Sequence, residues 1–494
     1  MNAISEIKLK GWDEAIRRGN AGAVRAELKK LKDQRVSREM ILPVAALCRR
    51  ADFLPFALHL LQPLVRPTRK VAVPATLTER AEYAACLVRV GAGDEALELL
   101  KTLSSARTPE VLLYQAFAMA SQWDYGAAIP VLKKYVASHR ITEYWRLIGQ
   151  LNLAAALVWE RPGQVPKPWL SQIIKTAKLG GIHFVLGNAL ELCAQNAILS
   201  GAWKDAEHWL SRASEALEKS GGREEFFVRK WRAIARCRRE GMKTGVAREL
   251  NTVRREARER GHWETLRQCE FFEAEAKRDE HLFARLYFGT PYPAFRARVL
   301  QLWKPKRLPE SYRWCLGPRG KVAGVWDLRT GGGKFKPGSL MHRLALALAS
   351  DFFRPLRLET LHFRLYPDEH YNLISSDQRV HFALQQLRRW IATHRFPVKI
   401  IACAEHYVLT SARPFCIDVP TERTPVTREW VWLEELRRSF PKGTFSLAEA
   451  SRVLGVSSRT ALRALHAEMR SGTVARTGSA AKTRYELNPT EFRD

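Results

Sequence analysis

Cysteine chemistry has little to work with in this sequence. Eight cysteines (Cys48, Cys86, Cys193, Cys237, Cys269, Cys315, Cys403 and Cys416) are scattered over 494 residues with no C-x-x-C and no close Cys/His cluster. That excludes a disulfide framework or a zinc site as the organising element and fits buried free thiols in a reducing compartment. Long apolar runs are missing too: LNLAAALVW is among the longest, far from the roughly 18 residues a membrane span needs. No membrane partner is therefore expected. The opening MNAISEIKLKGW lacks the basic stretch and apolar core of a secretory signal, so the expectation is a cytoplasmic protein. The glycine run RTGGGKFKPG fails as a phosphate loop. Lys334 is followed by Phe335, Lys336 and Pro337, not by Ser or Thr leading into a helix, and a hairpin turn is the expected structure there. With no metal-ligand cluster, no Ser/His/Asp set and no paired carboxylates, no catalytic residue, no metal and no cofactor is expected, and the chain is not read as an enzyme.

What the sequence has in excess is positive charge. Lys and Arg number 81 against 51 Asp and Glu, and 81 − 51 gives +30, with an isoelectric point near 10.1. Hydrophobic residues make up 46%, an ordinary globular share, so the charge sits on folded domains and not on a disordered polyelectrolyte. A surface of this sign suits an acidic polymer, because phosphate contacts release counterions.

From about residue 10 to 288 the periodicity is helical, rich in Ala, Leu, Arg and Glu. A small residue followed four positions later by Leu recurs as Ala57/Leu61, Ala96/Leu100, Ala128/Leu132 and Ala206/Leu210. Another Ala stands twelve residues before each, at Ala45, Ala84, Ala116 and Ala194. The intervals are 39, 32 and 78, and the last leaves room for a degenerate copy around 141–180. Paired small residues let two helices approach closely, as stacked helical hairpins require. The segments AACLVRVGAGDEALELL, AFAMASQWDYGAAIPVL and AQNAILSGAWKDAEHWL resemble the tetratricopeptide (TPR) family. The resemblance implies a helical array over 1–288 that binds a protein partner or self-associates. The Arg-rich stretches 229–241 and 254–261 read as solvated helix faces diluted by Glu249, Glu256 and Glu259.

Beyond residue 288 the texture changes. Prolines 291, 293, 305 and 309 mark a connector over 289–310 with one short helix. Strand-like SYRWCLGP and VAGVWDL come next, then three helical stretches ending in SDQRVHFALQQLRRWIATH, then the strands VKIIACA and EHYVLTS. This is a winged helix-turn-helix order. On the long helix, Val380, Leu384, Leu387 and Ile391 share one stripe and must face a core. The other face presents Gln378, Phe382, Gln385, Gln386 and Arg389, flanked by Arg379 and Arg388, a set with the donors and apolar contacts for major-groove edges. Residues 311–410 resemble the OmpR-type winged helix through the leading strands, Leu387–Arg388 and Tyr407-Val408-Leu409. The resemblance implies that the helix enters the major groove and the hairpin, carrying Lys399 and His406, touches the adjacent minor groove. Ala404-Glu405-His406-Tyr407 replaces the family's Gly-x-Gly-Tyr turn.

A Pro/Thr-rich stretch, ARPFCIDVPTERTPVT, reads as a linker over 411–426, ahead of a second module at 427–494. There Gly455 supplies a turn, Ser457 stands where the next helix needs a cap, and Ala461, Leu465 and Met469 form its buried stripe. Arg459, Arg463, His466 and Arg470 face outward with Thr460 beside them, the strands after Gly472 place Arg476, Lys482 and Arg484 on a wing, and these residues with Ser457 and Ser458 make up the expected DNA-contact set. Val456-Ser457-Ser458-Arg459-Thr460 and Arg476-Thr477-Gly478 resemble DeoR-type winged helices. The expected fold is mostly α: a TPR-like α-solenoid followed by two α+β winged-helix domains. The expected function is duplex-DNA binding in transcription regulation or DNA architecture. The alternative is a non-catalytic adaptor using repeats and winged modules for protein contacts.

Overall fold

The computed structural model describes all residues except 1–5, 19, 33, 68–72, 166, 219–224, 303–310, 329–334, 336–337, 367–368, 373–374, 404–405, 421–427, 442, 471, 480–482 and 489–494. Two compact units emerge, one of residues 1–287 and 292–304 and the other of 288–291 and 305–494.

The first unit is helical throughout. After α1 (Glu6–Arg17) and α2 (Ala21–Lys29) come α3 (Ile41–Arg50), α4 (Leu54–Val65), α5 (Leu77–Val90), α6 (Gly93–Lys101), α7 (Glu110–Ser121) and α8 (Tyr125–Val136). The series continues with α9 (Glu143–Glu160), α10 (Lys167–Leu179), α11 (His183–Ser200), α12 (Trp203–Glu218), α13 (Glu225–Glu240), α14 (Thr244–Arg260), α15 (Trp263–Lys277), α16 (Glu280–Phe288) and α17 (Pro293–Leu302). Consecutive pairs from α3/α4 to α13/α14 pack as hairpins. The first helix of one hairpin meets the first helix of the next, as in α3 with α5, α5 with α7, α9 with α11 and α11 with α13. This is a stacked helical-repeat array.

The small residues that signal the repeats are where close packing demands them: Ala45, Ala57, Ala84, Ala96, Ala128 and Ala194 have no exposed surface, and Leu61, Leu100 and Leu210 are equally buried. The degenerate copy around 141–180 is the hairpin α9/α10. Its Ile173 and Ala177, four apart and fully buried, reverse the small-then-large order. Buried polar side chains tie successive hairpins together. Arg49 on α3 donates to both oxygens of Glu82 on α5 (2.5 and 3.2 Å), and the Tyr114 hydroxyl on α7 donates to the same carboxylate at 2.8 Å. The Arg-rich faces are ion-paired as well as solvated. Arg229 meets Glu256, Arg238 meets Glu275 at 2.9 Å, and Arg254 meets Glu273.

The short helix expected in the connector belongs to the packing of the array. Phe295 of α17 is fully buried, 4.6 Å from the Trp123 ring and 5.8 Å from Phe271. Trp123 sits in the α7/α8 turn with φ +65° and donates from Nε1 to Glu264 on α15 at 2.9 Å.

The second unit holds two modules. The first comprises β1 (Ser311–Leu316), β2 (Val325–Asp327), α18 (Leu340–Leu348), β3 (Leu356–Arg357), α19 (Leu358–Leu365), α20 (Ser375–Thr393), β4 (Val398–Cys403), β5 (His406–Ser411) and β6 (Phe415–Pro420). One sheet has the order β1-β6-β2, with β1 antiparallel and β2 parallel to β6; the other has the order β3-β5-β4. One expectation needs correction here. Residues 415–420, expected in a linker, form β6, the central strand of the leading sheet, with Phe415 to Val419 all buried. The hairpin turn expected at RTGGGKFKPG falls mostly on 329–334 and 336–337, which lie outside the described residues.

The second module comprises α21 (Arg428–Ser439), α22 (Leu447–Leu454), α23 (Ser458–Arg470), β7 (Val474–Thr477) and the antiparallel β8 (Arg484–Leu487). Trp432, Leu436, Phe445, Leu454, Leu465, Val474 and Tyr485 form its core. Both modules thus show three helices followed by a hairpin, which with the array makes a mostly α fold with small sheets. No helix among the described residues is long and apolar enough to cross a membrane.

Candidate nucleic-acid interface

In the second module the helix-turn-helix is built by capping. Ser446 and Glu449 form a reciprocal capping box at the start of α22, and Gly455, at φ +56°, closes its end in the left-handed region. The Ser457 hydroxyl then accepts from the Thr460 amide at 3.3 Å and lies 2.9 Å from the Thr460 hydroxyl. These two hydroxyls of the expected contact set therefore start α23. Ala461 and Leu465 are buried and Met469 is half-buried, which fixes the rotation of the helix. Ser458, Arg459, Arg463 and His466 are turned to solvent, and neither arginine is paired with any described residue. Of Arg470 only the backbone is described, and Lys482 lies outside the described residues.

The wing is less free than its sequence suggests. Arg476 is exposed and donates weakly to the Thr483 hydroxyl at 3.4 Å. Arg484 is drawn back onto α22, where its guanidinium is 2.9 Å from the Glu449 carboxylate. The Ser446 amide, and after it the Ser446 hydroxyl and the cations of Arg484 and Arg452, hold that carboxyl below its ordinary range. Arg452 on α22 is exposed and was not among the expected residues. Its place off the Ala450/Leu454 buried pair was the available signal for that exposure.

The first module distributes its cations differently. Val380, Leu384, Leu387 and Ile391 are buried, and Gln378, Phe382, Gln385 and Arg389 lie exposed on α20, with Gln386 half-buried. Arg379 and Arg388, however, are engaged within the fold. Arg379 grips Glu369 through two bonds and stacks 3.8 Å over the Tyr366 ring. Arg388 donates to the Ile400 carbonyl from Nε at 3.2 Å and from its terminal nitrogen at 2.9 Å, pinning α20 to β4. Phe382 is 57% exposed and Ile401 on β4 43%. Lys399 is exposed and His406 half-buried at the start of β5, while the hairpin tip at 404–405 lies outside the described residues. The structure thus leaves α23 with the more cationic open face and α20 with one that is more amide and apolar. Among the described residues no group of three or more His, Cys, Asp or Glu side chains could hold a metal ion.

No protein-family model matches the chain, and no curated protein does. Among solved structures it is similar to a Rap protein, crystallised in complex with the competence and sporulation factor. The identity is 13% and the TM-score 0.42, over 60% of this chain and 89% of that one.

Proposed function

We propose that the chain is a non-catalytic binding protein whose helical array engages a protein partner and whose last module binds duplex DNA through α23. The supporting observation for DNA is the stripe of Arg459, Arg463 and His466. It lies exposed on a capped helix that precedes a hairpin, and its two arginines are unpaired among the described residues. Unpaired guanidinium groups are available for guanine edges and phosphates without first breaking an internal ion pair. A second reading, the adaptor in which neither module meets DNA, is favoured at α20, where Arg379 and Arg388 serve the fold and Phe382 stands in solvent. Exposed aromatics of this kind belong to protein contacts more often than to phosphate grooves.

The test is a salt-titrated anisotropy assay with random duplex DNA, comparing the whole chain with the Arg459→Ala/Arg463→Ala variant. Loss of a base-directed arginine should cost about 1–3 kcal/mol, and each lost phosphate contact should lower the salt slope by about one. A folded double variant with unchanged affinity and slope would leave the adaptor reading standing.

A further inference from the structure

Cys315 on β1 lies directly opposite Cys416 on β6 in an antiparallel register. Opposed residues of such a pair point to the same face of the sheet. Two positions along, that face carries the ion pair Arg313–Asp418 at 2.9 Å, which joins the same two strands. Cys315 is exposed, whereas Cys416, on the central strand, is fully buried. The other cysteines with described side chains, all in the helical array, are buried without an exposed neighbour of their own kind. The expectation of uniformly buried thiols is therefore corrected at Cys315, and Cys403 lies outside the residues whose side chains are described.

We propose that Cys315 and Cys416 form a reversible redox pair, closing to a cross-strand disulfide when a peroxide-class oxidant reaches Cys315. Opposed residues in antiparallel strands have Cα atoms about 4.5–5.5 Å apart, inside the roughly 4.4–6.8 Å that a disulfide spans. Their Cβ atoms sit about 4.5–5.5 Å apart, above the mean of about 3.8 Å in disulfides, so the strands must draw together. A bond closed in this way is strained, and strained, exposed disulfides are the easily reduced ones.

The chemistry balances in two steps. The Cys315 sulfur attacks one peroxide oxygen, the O–O bond breaks, and the products are a Cys315 sulfenic acid and one water. The Cys416 sulfur then attacks the Cys315 sulfur, the S–OH bond breaks, and the hydroxyl leaves as a second water with the Cys416 proton. Two thiols lose two electrons and the peroxide gains them. Burial, and after it the hydrogen bond with Cys315, push the Cys416 thiol up to about 12, which leaves the first oxidation to the exposed sulfur.

The experiment uses the full chain, reduced and desalted without oxygen. It is exposed to hydrogen peroxide, then alkylated with N-ethylmaleimide and mapped by peptide mass spectrometry. The expected result is one intramolecular Cys315–Cys416 link, a mass lower by two hydrogen atoms, and full reversal by dithiothreitol. Cys315→Ser should form no link and keep Cys416 as a free thiol. Cys416→Ser should accumulate a dimedone-reactive Cys315, and if that buried substitution does not fold, the exposed Cys315→Ser variant still carries the comparison. A wild-type chain in which Cys315 remains alkylatable, proceeds to sulfinic acid beside a free Cys416, or links to a second molecule overturns the proposal.

Discussion

Gly187→Ala tests whether close helix approach holds the array together. Gly187 is buried on α11, and an added Cβ would lie 2.3 Å from Cδ2 and 2.4 Å from Cγ of Leu217 on α12. Ordinary carbon contacts are about 3.5–4.0 Å, so the two helices would have to part by more than about 1 Å. Leu217 is itself fully buried and has nowhere to swing. Overpacking of this kind costs about 1–3 kcal/mol, and the displacement puts it at the upper end. Alanine returns about 1 kcal/mol of helix propensity, leaving a net loss of about 1–2 kcal/mol. Gly11 is the control. It is exposed within α1, its added Cβ would meet nothing within 4 Å, and Gly11→Ala should stabilise by about 0.5–1 kcal/mol. Hydrogen exchange of the α11 and α12 amides is the suitable assay, because it reads local opening in a chain of two units where one global unfolding energy is not defined. About 1.4 kcal/mol appears as tenfold faster exchange. On a Leu217→Ala background the same change should become neutral or stabilising. If Gly187→Ala alone slowed exchange as Gly11→Ala should, the α11/α12 contact would not be what requires glycine.

Glu82→Gln breaks the buried Arg49–Glu82–Tyr114 network and should cost about 3–5 kcal/mol, read as faster exchange in α3, α5 and α7. A fragment of residues 1–304 should resist urea better than 1–288, which lacks α17 and uncovers Trp123 where Phe295 packs. Burial, and after it the Arg379 charge, lower the His362 pKa to about 4. The unfolded chain therefore binds the extra proton between about 6.5 and 4, and the first module should lose stability as pH falls through that window, flat above it. His362→Phe should make that slope shallower in urea titrations; an unchanged slope would assign it to other groups. Val431→Ala on α21 should cost about 1.5–3 kcal/mol and loosen α20 as well as α22, and exchange confined to α22 would refute a shared core.

The repeats were legible because helix crossings tolerate only small side chains, so Ala at fixed spacing is a geometric signal. It fades where another pair fills the same place: Val246 and Leu250 on α14, or Trp12 and then Val24 with Leu28 on α1 and α2, all buried with no alanine among them. β6 was illegible for a different reason. Its five buried residues in succession give no alternation, because both faces of the strand are covered, and the flanking prolines read as punctuation. At the candidate interface, the stripe on α23 was visible from its period alone. The engagement of Arg379 and Arg388 was not, since one partner, Glu369, stands ten residues away across a loop and the other is a backbone carbonyl.

The same strand changes what the junction between the modules can do. With β6 ending at Pro420 and α21 beginning at Arg428, only residues 421–427 remain as connection, fewer than half of the stretch expected as linker. On α21, Val431 is buried in the core of the first module, while the adjacent Trp432 and Leu433 are buried in the core of the second. One helix thus presents neighbouring residues to two cores, and side chains about 100° apart on a helix can do this only if both cores flank it. A helix held in both cores fixes the orientation of the two modules and does not merely raise effective concentration. Any partner that engages α20 and α23 together must therefore match the spacing set by α21, and the Cys315–Cys416 pair sits on the strand, β6, that leads directly into that junction.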